Sequence, residues 1–393
     1  MIALLCIQED PDLRPPASRV SVMLSTKEVE IPTAPVQLPL ELNNVYYSTL
    51  PTMSRTIIGH SFPSSQIDFS IQELEIATNG FQCKLGEGRF GSVSKGILAN
   101  GRQVVVKKAR KETTGFMNEL KSIAKLHHRN ILELVGFCSE SEELMLVYDY
   151  MPNGTLSDFL FDPIKKQVLD WRRRFNVILE VISALAYLYE RAGADKRIVH
   201  RDIKPANILL DENFSARISD FTLAVALQNN MDESTPLAGT LGYIAPECIV
   251  GGHLTEKADI YSFGILVLNV VSGKTCLEFT SLDDGLHNLV EREENGFIEL
   301  IDPELVKDPG FDSGDILRAI IIALLCLQID PDLRPPASQV LVMLSTKEME
   351  IPTAPDNVHY AIPQELNNVY YLIPSSAIQH FSEFDCRDDI FRG

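Results

Sequence analysis

The most constraining feature of this 393-residue sequence is the polar segment at residues 198–207, Ile-Val-His-Arg-Asp-Ile-Lys-Pro-Ala-Asn. It carries Asp202, Lys204 and Asn207 in one tight stretch, and a second carboxylate, Asp220, follows in Ile-Ser-Asp-Phe. Phosphoryl transfer requires one carboxylate that orients the attacking hydroxyl, a second carboxylate and an amide that hold Mg²⁺, and a lysine that neutralises the moving group. Taken singly, Asp202 could be a turn residue and Asn207 a cap, but their joint spacing predicts a phosphoryl-transfer site.

A glycine-rich segment lies upstream of these residues. Residues 85–93, Leu-Gly-Glu-Gly-Arg-Phe-Gly-Ser-Val, carry Gly86, Gly88 and Gly91 in a G-x-G-x-x-G pattern. A dinucleotide-binding fold uses the same pattern but leads into a helix, whereas a β-branched strand that ends in Lys107 follows here. Because glycines let backbone amides approach phosphates, the segment predicts a hairpin over nucleotide phosphates. Lys107 is then expected to bind the α- and β-phosphates.

Lys107 needs an anionic partner to hold it in place. The segment Met-Asn-Glu-Leu at residues 117–120 begins a helical pattern that places Ile123 and Leu126 on its apolar face. Glu119 lies in this segment and is the candidate partner. The alternative is that Glu119 is a solvated carboxylate on the helix surface, but the lysine and the glycine-rich segment favour the ion pair.

Composition and charge limit the possible classes of function. The sequence is 45% hydrophobic and 23% charged, as is typical of a soluble globular protein. Its formal charge of −19 disfavours nucleic acid and anionic membranes as partners, because no basic stripe can release counterions. The seven cysteines are scattered, which favours a reducing compartment. The longest apolar run, residues 319–327, is too short to span a bilayer, and the N-terminus is not typical of a signal peptide. We therefore expect a cytoplasmic protein.

The two ends of the chain share a repeated segment. Residues 2–35 recur as residues 322–355 with five differences, and Glu-Leu-Asn-Asn-Val-Tyr-Tyr occurs at both 41–47 and 365–371. Two copies this far apart cannot stack as a solenoid. The second copy ends a long helical stretch and belongs to a domain, whereas the first is interpreted as a remnant of a duplicated tail. The alternative is a regulatory helix that docks on the folded domain.

Further motifs extend the pattern along the chain. The stretch from about Phe69 to Thr346 resembles the cytoplasmic serine/threonine kinase domain of plant receptor-like protein kinases. The motifs that carry this resemblance are Ala-Thr-Asn-Gly-Phe at 77–81, His-Arg-Asn-Ile at 128–131, Leu-Asp-Trp at 169–171, the segment at 198–207, Gly-Tyr-Ile-Ala-Pro-Glu at 242–247, Asp-Ile-Tyr-Ser-Phe-Gly at 259–264 and Asp-Leu-Arg-Pro at 332–335. The resemblance implies an α+β, two-lobed protein-kinase fold, with a small β-rich N-lobe and a larger helical C-lobe. It also implies ATP and Mg²⁺ as cofactors.

The resemblance further implies roles for individual residues. The implied catalytic residues are Asp202, Lys204, Lys107 and Glu119, and the implied magnesium ligands are Asn207 and Asp220. Nucleotide contacts are expected from Leu85, Gly86, Gly88, Gly91, Val93, Val105, Lys107, Asp149, Met151 and Leu209. Asp149 to Met151 would form the hinge beside adenine, although the same letters are consistent with a simple strand and turn.

An activation segment is expected between Asp220 and Glu247. The implied regulatory residues are Arg201, Ser234, Thr235 and Thr240, and the arginine is expected to pair with a phosphorylated residue of the segment. Glu247 is expected to pair with Arg334, for which the alternative is a surface arginine.

His200 and its neighbours do not have the spacing of a tetrahedral metal site. His200 is therefore interpreted as a packed histidine that Phe221 could contact. Asp259 is expected to anchor the backbone of the loop from a buried helix.

Three positions depart from the family pattern. Thr222 replaces the glycine after Asp-Phe, Ser94 stands where tyrosine is common, and Val105 stands where alanine is usual. Thr222 leaves open the alternative of a pseudokinase scaffold, because a β-branched residue restricts the backbone where glycine would let it flip. A second alternative is an unstable fragment without a role.

The expected domain organisation follows from the repeat and the resemblance. It comprises a remnant of a kinase C-terminal tail at 1–50, a linker at 51–68, the N-lobe at 69–151, the C-lobe at 152–348 and a tail at 349–393. Protein substrates and a membrane receptor complex are the expected partners, with no nucleic acid and no membrane span in this chain.

Overall fold

The computed structural model describes residues 67–88, 91–109, 114–140, 143–190, 197–227, 237–250, 254–276, 300–308, 310–347 and 349. The N-terminal copy of the repeat lies outside these residues. The strands are β1 (Ile67–Asp68), β2 (Lys84–Gly88), β3 (Gly91–Ile97), β4 (Gln103–Ala109), β5 (Leu134–Glu140), β6 (Glu143–Asp149), β7 (Arg197–Val199), β8 (Ile208–Leu210), β9 (Ala216–Ile218) and β10 (Val225–Leu227). The helices are α1 (Ile71–Ala77), α2 (Thr114–Ile123), α3 (Leu156–Leu160), α4 (Trp171–Glu190), α5 (Pro246–Val250), α6 (Lys257–Ser272), α7 (Pro303–Val306), α8 (Ser313–Cys326) and α9 (Ala337–Ser345).

The first six strands form one sheet in the order β1-β5-β6-β4-β3-β2. Strands β2 to β6 pair in antiparallel fashion, and β1 adds to the edge parallel to β5. Side chains alternate between the two faces of a strand. Val104 and Val106 of β4 therefore pack with Leu74 of α1 on one face, and Val105 and Lys107 point to the other. The strand that the sequence predicts before Lys107 is thus present as β4.

Apolar helices form the core of the larger part of the molecule. Helix α4 buries Val177, Ile178, Val181, Ile182 and Leu185, which recur at the spacing of one helical face. Helix α6 is buried along almost its whole length, as expected for a helix that is apolar all round. Helix α8 packs against α6, and α9 packs against α4.

The remaining four strands form two short antiparallel ribbons. Strand β7 pairs with β10, and β8 pairs with β9 in the register Ile208 opposite Ile218. The β8–β9 ribbon brings Ser219 back to Asn207, since the amide of Ser219 donates to the carbonyl of Asn207 at 2.9 Å. The two polar segments of the sequence therefore meet at the end of this ribbon.

This arrangement confirms the predicted α+β class, with a small sheet-containing lobe followed by a larger helical lobe. None of the helices in the described part of the chain combines the length and the apolar character needed to cross a bilayer.

Candidate active site

The loop that carries Asp202 is anchored by hydrogen bonds to Asp259 on α6. The carboxylate of Asp259 accepts the backbone N–H of His200 at 2.6 Å and that of Arg201 at 2.8 Å. Arg201 has a positive φ of 71°, which is uncommon for a side chain of this kind. Burial raises the pKa of Asp259, and this effect exceeds the opposing effects of His200 and the two amides. His200 packs edge-on against Phe221 with ring centroids 4.8 Å apart.

Asp202 is oriented at both of its carboxylate oxygens. The hydroxyl of Thr240 donates to Oδ1 at 2.6 Å, and Nδ2 of Asn207 donates to Oδ2 at 2.8 Å. Lys204 Nζ lies 3.1 Å from Asp202 Oδ2 and donates to the Thr240 hydroxyl at 2.6 Å. The carboxylate is therefore held in one direction beside an ammonium group.

Thr240 lies inside this cluster rather than on an accessible surface. It is buried, and its hydroxyl contacts both Asp202 and Lys204. Among the residues that the sequence assigns to regulation, Ser234 and Thr235 lie outside the described residues. The Thr240 hydroxyl therefore belongs to the cluster that fixes the direction of the Asp202 carboxylate.

Lys107, Glu119 and Asp220 meet in one buried cluster. Lys107 Nζ lies 2.8 Å from Glu119 Oε2 and 3.1 Å from Asp220 Oδ1. Burial acts to lower the pKa of Lys107, but the two carboxylates outweigh it and the pKa is raised. Burial likewise acts to raise the pKa of Asp220, but Lys107 and Thr222 outweigh it and the pKa is lowered. The lysine and Asp220 are therefore charged at neutral pH.

Tyr148 supports the same cluster from β6. Its hydroxyl donates to Glu119 Oε1 at 2.7 Å, so both carboxylate oxygens of Glu119 are engaged. Burial and the Glu119 charge raise the pKa of Tyr148 well above its usual value, so this residue stays a donor.

The two candidate magnesium ligands lie at the open end of the β8–β9 ribbon. Asp220 adopts a left-handed conformation with φ 61° and ψ 71°, which turns its carboxylate towards Lys107. Nδ2 of Asn207 donates to Asp202, so the side-chain oxygen Oδ1 of Asn207 is the atom that could bind a cation. One carboxylate and one amide oxygen fit Mg²⁺, which is usually held by one or two carboxylates together with substrate phosphates.

Thr222 stands where the family usually has glycine. Its backbone is not left-handed, since Thr222 is not among the described residues with positive φ. Its side chain is buried, and its hydroxyl bonds to Asp220 and lies 3.1 Å from Glu119 Oε2. Asn118 on α2 donates from Nδ2 to the carbonyls of Thr222 at 2.8 Å and Ala224 at 2.7 Å. Asn118 was not predicted as a site residue, and its adjacency to Glu119 in the sequence was the only signal for it.

The apolar residues expected to contact the nucleotide lie on β2, β3, β4 and β8 and just after β6. Of these, Val93, Val105, Met151 and Leu209 are buried, while Leu85 is half-buried. Val105 pairs with Tyr148 across β4 and β6, and so it lies next to the expected hinge.

The side chain of Asp149, at the end of β6, forms an ion pair with Arg102. Arg102 donates to both carboxylate oxygens of Asp149, at 2.7 Å from Nε and 2.9 Å from NH2. The carboxylate of Asp149 is therefore held in this ion pair with Arg102.

Strands β2 and β3 form the predicted hairpin, with Gly86 and Gly88 on one side and Gly91 on the other. Gly91 has a φ of 144°, and a Cβ at this position would lie 1.8 Å from the carbonyl oxygen of Lys108. Only glycine fits there.

Glu247, at the start of α5, meets Arg334 in a two-point ion pair. NH1 and NH2 of the arginine each lie 2.7 Å from one oxygen of the glutamate. The Arg334 side chain is fully buried, so this residue is not the surface arginine that the sequence left open.

Comparison with known proteins identifies the family of this chain. The family model of the protein kinase domain matches residues 81–343. Cysteine-rich receptor-like protein kinase 2 of Arabidopsis thaliana is 41% identical over 310 residues, which cover 75% of this chain and 48% of the relative. A G-type lectin S-receptor-like serine/threonine-protein kinase of the same organism is 40% identical over 298 residues, which cover 73% of this chain and 35% of the relative. The chain thus spans about half the length, or less, of these curated relatives. It belongs to the protein kinase family, in the group that includes the receptor-like kinases of plants.

Proposed function

We propose that this chain is an ATP-dependent protein serine/threonine kinase that acts in receptor-like kinase signalling in the cytoplasm. The observation that carries the proposal is the assembly of Lys107, Glu119 and Asp220 in one charged cluster. Asp202 lies in a second cluster with Lys204 and Thr240. The serine/threonine preference is supported by Lys204 and by the name of one relative, a G-type lectin S-receptor-like serine/threonine-protein kinase.

The roles of the residues follow from their positions. Asp202 accepts the proton of a serine or threonine hydroxyl while that oxygen forms a bond to the γ-phosphorus of ATP. The bond from the γ-phosphorus to the bridging oxygen breaks, and ADP leaves with the electron pair. Lys204 offsets charge on the transferred group, and Lys107 holds the α- and β-phosphates. Mg²⁺ bound with the nucleotide would offset charge on the β- and γ-phosphates.

The decisive experiment compares the wild-type chain with Asp202→Asn in the presence of ATP and Mg²⁺. Intact mass is used to count transferred phosphates, and calorimetry is used to measure nucleotide binding. Turnover should fall by several orders of magnitude, because such groups contribute roughly 3–6 kcal/mol to the transition state. Nucleotide affinity should stay nearly unchanged.

Asp332→Asn is a matched control, because Asp332 is an exposed aspartate on the turn before α9. Wild-type turnover in Asp202→Asn would contradict the assignment of the catalytic carboxylate. A wild-type chain that binds nucleotide but transfers no phosphate would instead be a pseudokinase scaffold.

A further inference from the structure

The hydroxyl of Thr222 lies among three charged groups. It bonds to Asp220, lies 3.1 Å from Glu119 Oε2, and lies 3.4 Å from Lys107 Nζ. A hydroxyl has one proton and two lone pairs, so it can accept from the lysine while it donates to one carboxylate at a time. The hydroxyl therefore lies between the carboxylates of Asp220 and Glu119 and can donate to either one.

The main chain around Thr222 is held by the same helix. Asn118 precedes Glu119 on α2, and its amide donates both protons, one to the carbonyl of Thr222 and one to that of Ala224. Asn118 thus contacts the backbone carbonyls of this turn, and the next residue of α2, Glu119, contacts the Thr222 hydroxyl. A displacement of α2 would break both sets of bonds together.

We propose that Thr222 and Asn118 are positioning residues that keep the Asp220 carboxylate turned towards Lys107 and couple its direction to the position of α2. This inference rests on the proposed phosphoryl transfer. Glycine at position 222 would provide neither the hydroxyl nor a restriction of the backbone. Thr222 therefore replaces conformational freedom with hydrogen bonds.

Because the Thr222 hydroxyl has a single proton, its bond to Asp220 can be released when Asp220 binds a cation. When Asp220 uses its lone pairs for a divalent cation, the Thr222 hydroxyl can rotate and donate to Glu119 instead. Glu119 then has two neutral donors, Thr222 and Tyr148, while the charge of Asp220 is offset by the cation and by Lys107. The hydroxyl holds Asp220 in the free protein without blocking its use as a ligand.

The test removes and restores the hydroxyl. Thr222→Val keeps the shape and lacks the hydroxyl, Thr222→Ala lacks it in a smaller side chain, and Thr222→Ser retains it. Affinity for ADP is measured by calorimetry with saturating Mg²⁺ and with Mg²⁺ removed by chelation. We expect Val and Ala to weaken the Mg²⁺-dependent affinity about tenfold, as for the loss of one hydrogen bond to a charged group. The Mg²⁺-free affinity should change by less than about threefold, and Thr222→Ser should match wild type.

The role of Asn118 has its own readout. Asn118→Leu removes both donated bonds at similar volume, and hydrogen exchange of the peptide that covers residues 221–227 should become faster without nucleotide. Mg²⁺-dependent ADP affinity should fall together with this protection. An unchanged exchange rate in Asn118→Leu would contradict the coupling to α2.

The outcome for Thr222 is equally decisive. Serine that behaves like valine, or valine and alanine that keep the wild-type response to Mg²⁺, would overturn the role of the hydroxyl. Nucleotide binding does not require turnover, so the comparison decides this inference separately from the proposed function. A wild-type chain that binds Mg²⁺-ADP without transferring phosphate would contradict only the latter.

Discussion

The carboxylate of Asp202 shows how single residues of this site are constrained. Thr240 and Asn207 each donate to one of its oxygens, and Lys204 lies beside it. These partners come from three separate places in the sequence, so the direction of the carboxylate depends on the folded chain. The residue type could be read from the sequence, but the partner Thr240 was assigned to regulation instead.

Gly91 provides a prediction at the same scale. Gly91→Ala places a Cβ against the carbonyl of Lys108, so the β3 backbone must move at the mouth of the glycine hairpin. Strained backbone of this kind costs about 1–3 kcal/mol, and we expect the nucleotide dissociation constant to rise by about tenfold. Calorimetry with ADP measures this change.

Gly101→Ala is the control for Gly91→Ala. Gly101 also has a positive φ, of 84°, but has open space around its Cβ position. This variant should lose some stability and keep its nucleotide affinity. Equal affinity losses in both variants would show that the contact with Lys108 is not the cause.

Asp302 provides a prediction about pH. Its carboxylate lies 2.8 Å from NH2 of Arg174, and both side chains are fully buried. Burial acts to raise the pKa of Asp302, but the amide of Glu304 and the Arg174 guanidinium outweigh it and the pKa is lowered. A lowered folded-state pKa means that the stabilisation is complete above the unfolded-state pKa and is lost as pH falls through the folded-state pKa.

Asp302→Asn should therefore cost about 3–5 kcal/mol of unfolding free energy at neutral pH, because it leaves a buried guanidinium unpaired. The gap from wild type should shrink below about pH 4, the usual pKa of an unfolded aspartate. Urea unfolding at a series of pH values measures both effects. A gap that stays constant with pH would show that the charge of Asp302 does not contribute.

Among the elements, the strand before Lys107 was predicted correctly from its β-branched residues, and the helix around Glu119 from its apolar face. Both are present as β4 and α2. The short strands β1, β7 and β10 have two or three residues each, and no periodic pattern can identify a segment of that length. They form because neighbouring chain segments supply their hydrogen-bond partners.

The connection between α5 and the segment before α9 provides a prediction at this scale. Glu247→Gln keeps the shape and removes the charge that faces Arg334, whose side chain is fully buried. We expect a loss of about 3–5 kcal/mol in unfolding free energy, because a buried charge is left uncompensated. Urea unfolding measures the loss.

Lys307→Gln is the matched control for Glu247→Gln. It breaks a pair with Glu304 in which the lysine side chain is 69% exposed, and exposed pairs contribute about 0–1 kcal/mol. Similar losses in the two variants would mean that burial does not decide the strength of the Glu247 pair.

At the scale of the whole molecule, the kinase domain accounts for most of the described residues, and the family model ends near α9. The second copy of the repeat contributes buried residues to this domain. They include Ala323, Leu324 and Cys326 on α8 and Val340 and Met343 on α9. The corresponding residues of the first copy lie outside the described part of the chain.

Deletion of residues 1–50 tests the interpretation of the first copy as a remnant. The melting temperature of the remaining chain should stay nearly unchanged, and its solubility should improve if exposed apolar surface is removed. Calorimetry or thermal fluorescence measures the change. A fall of more than about 5 °C, or roughly 1 kcal/mol or more, would show that the segment docks on the kinase domain.

The short motifs were sufficient to predict the family and the charged site residues, because these residues occur at fixed spacing, and the resemblance to that family implied the α+β class. The β-branched run before Lys107 also predicted β4, and the helical pattern around Glu119 predicted α2. The tertiary structure alone decided which side chains meet across long separations: Thr240 with Asp202, Tyr148 with Glu119, and Asn118 with the turn at Thr222. Local spacing carries no information about such contacts, because they arise only when packing brings separate elements together.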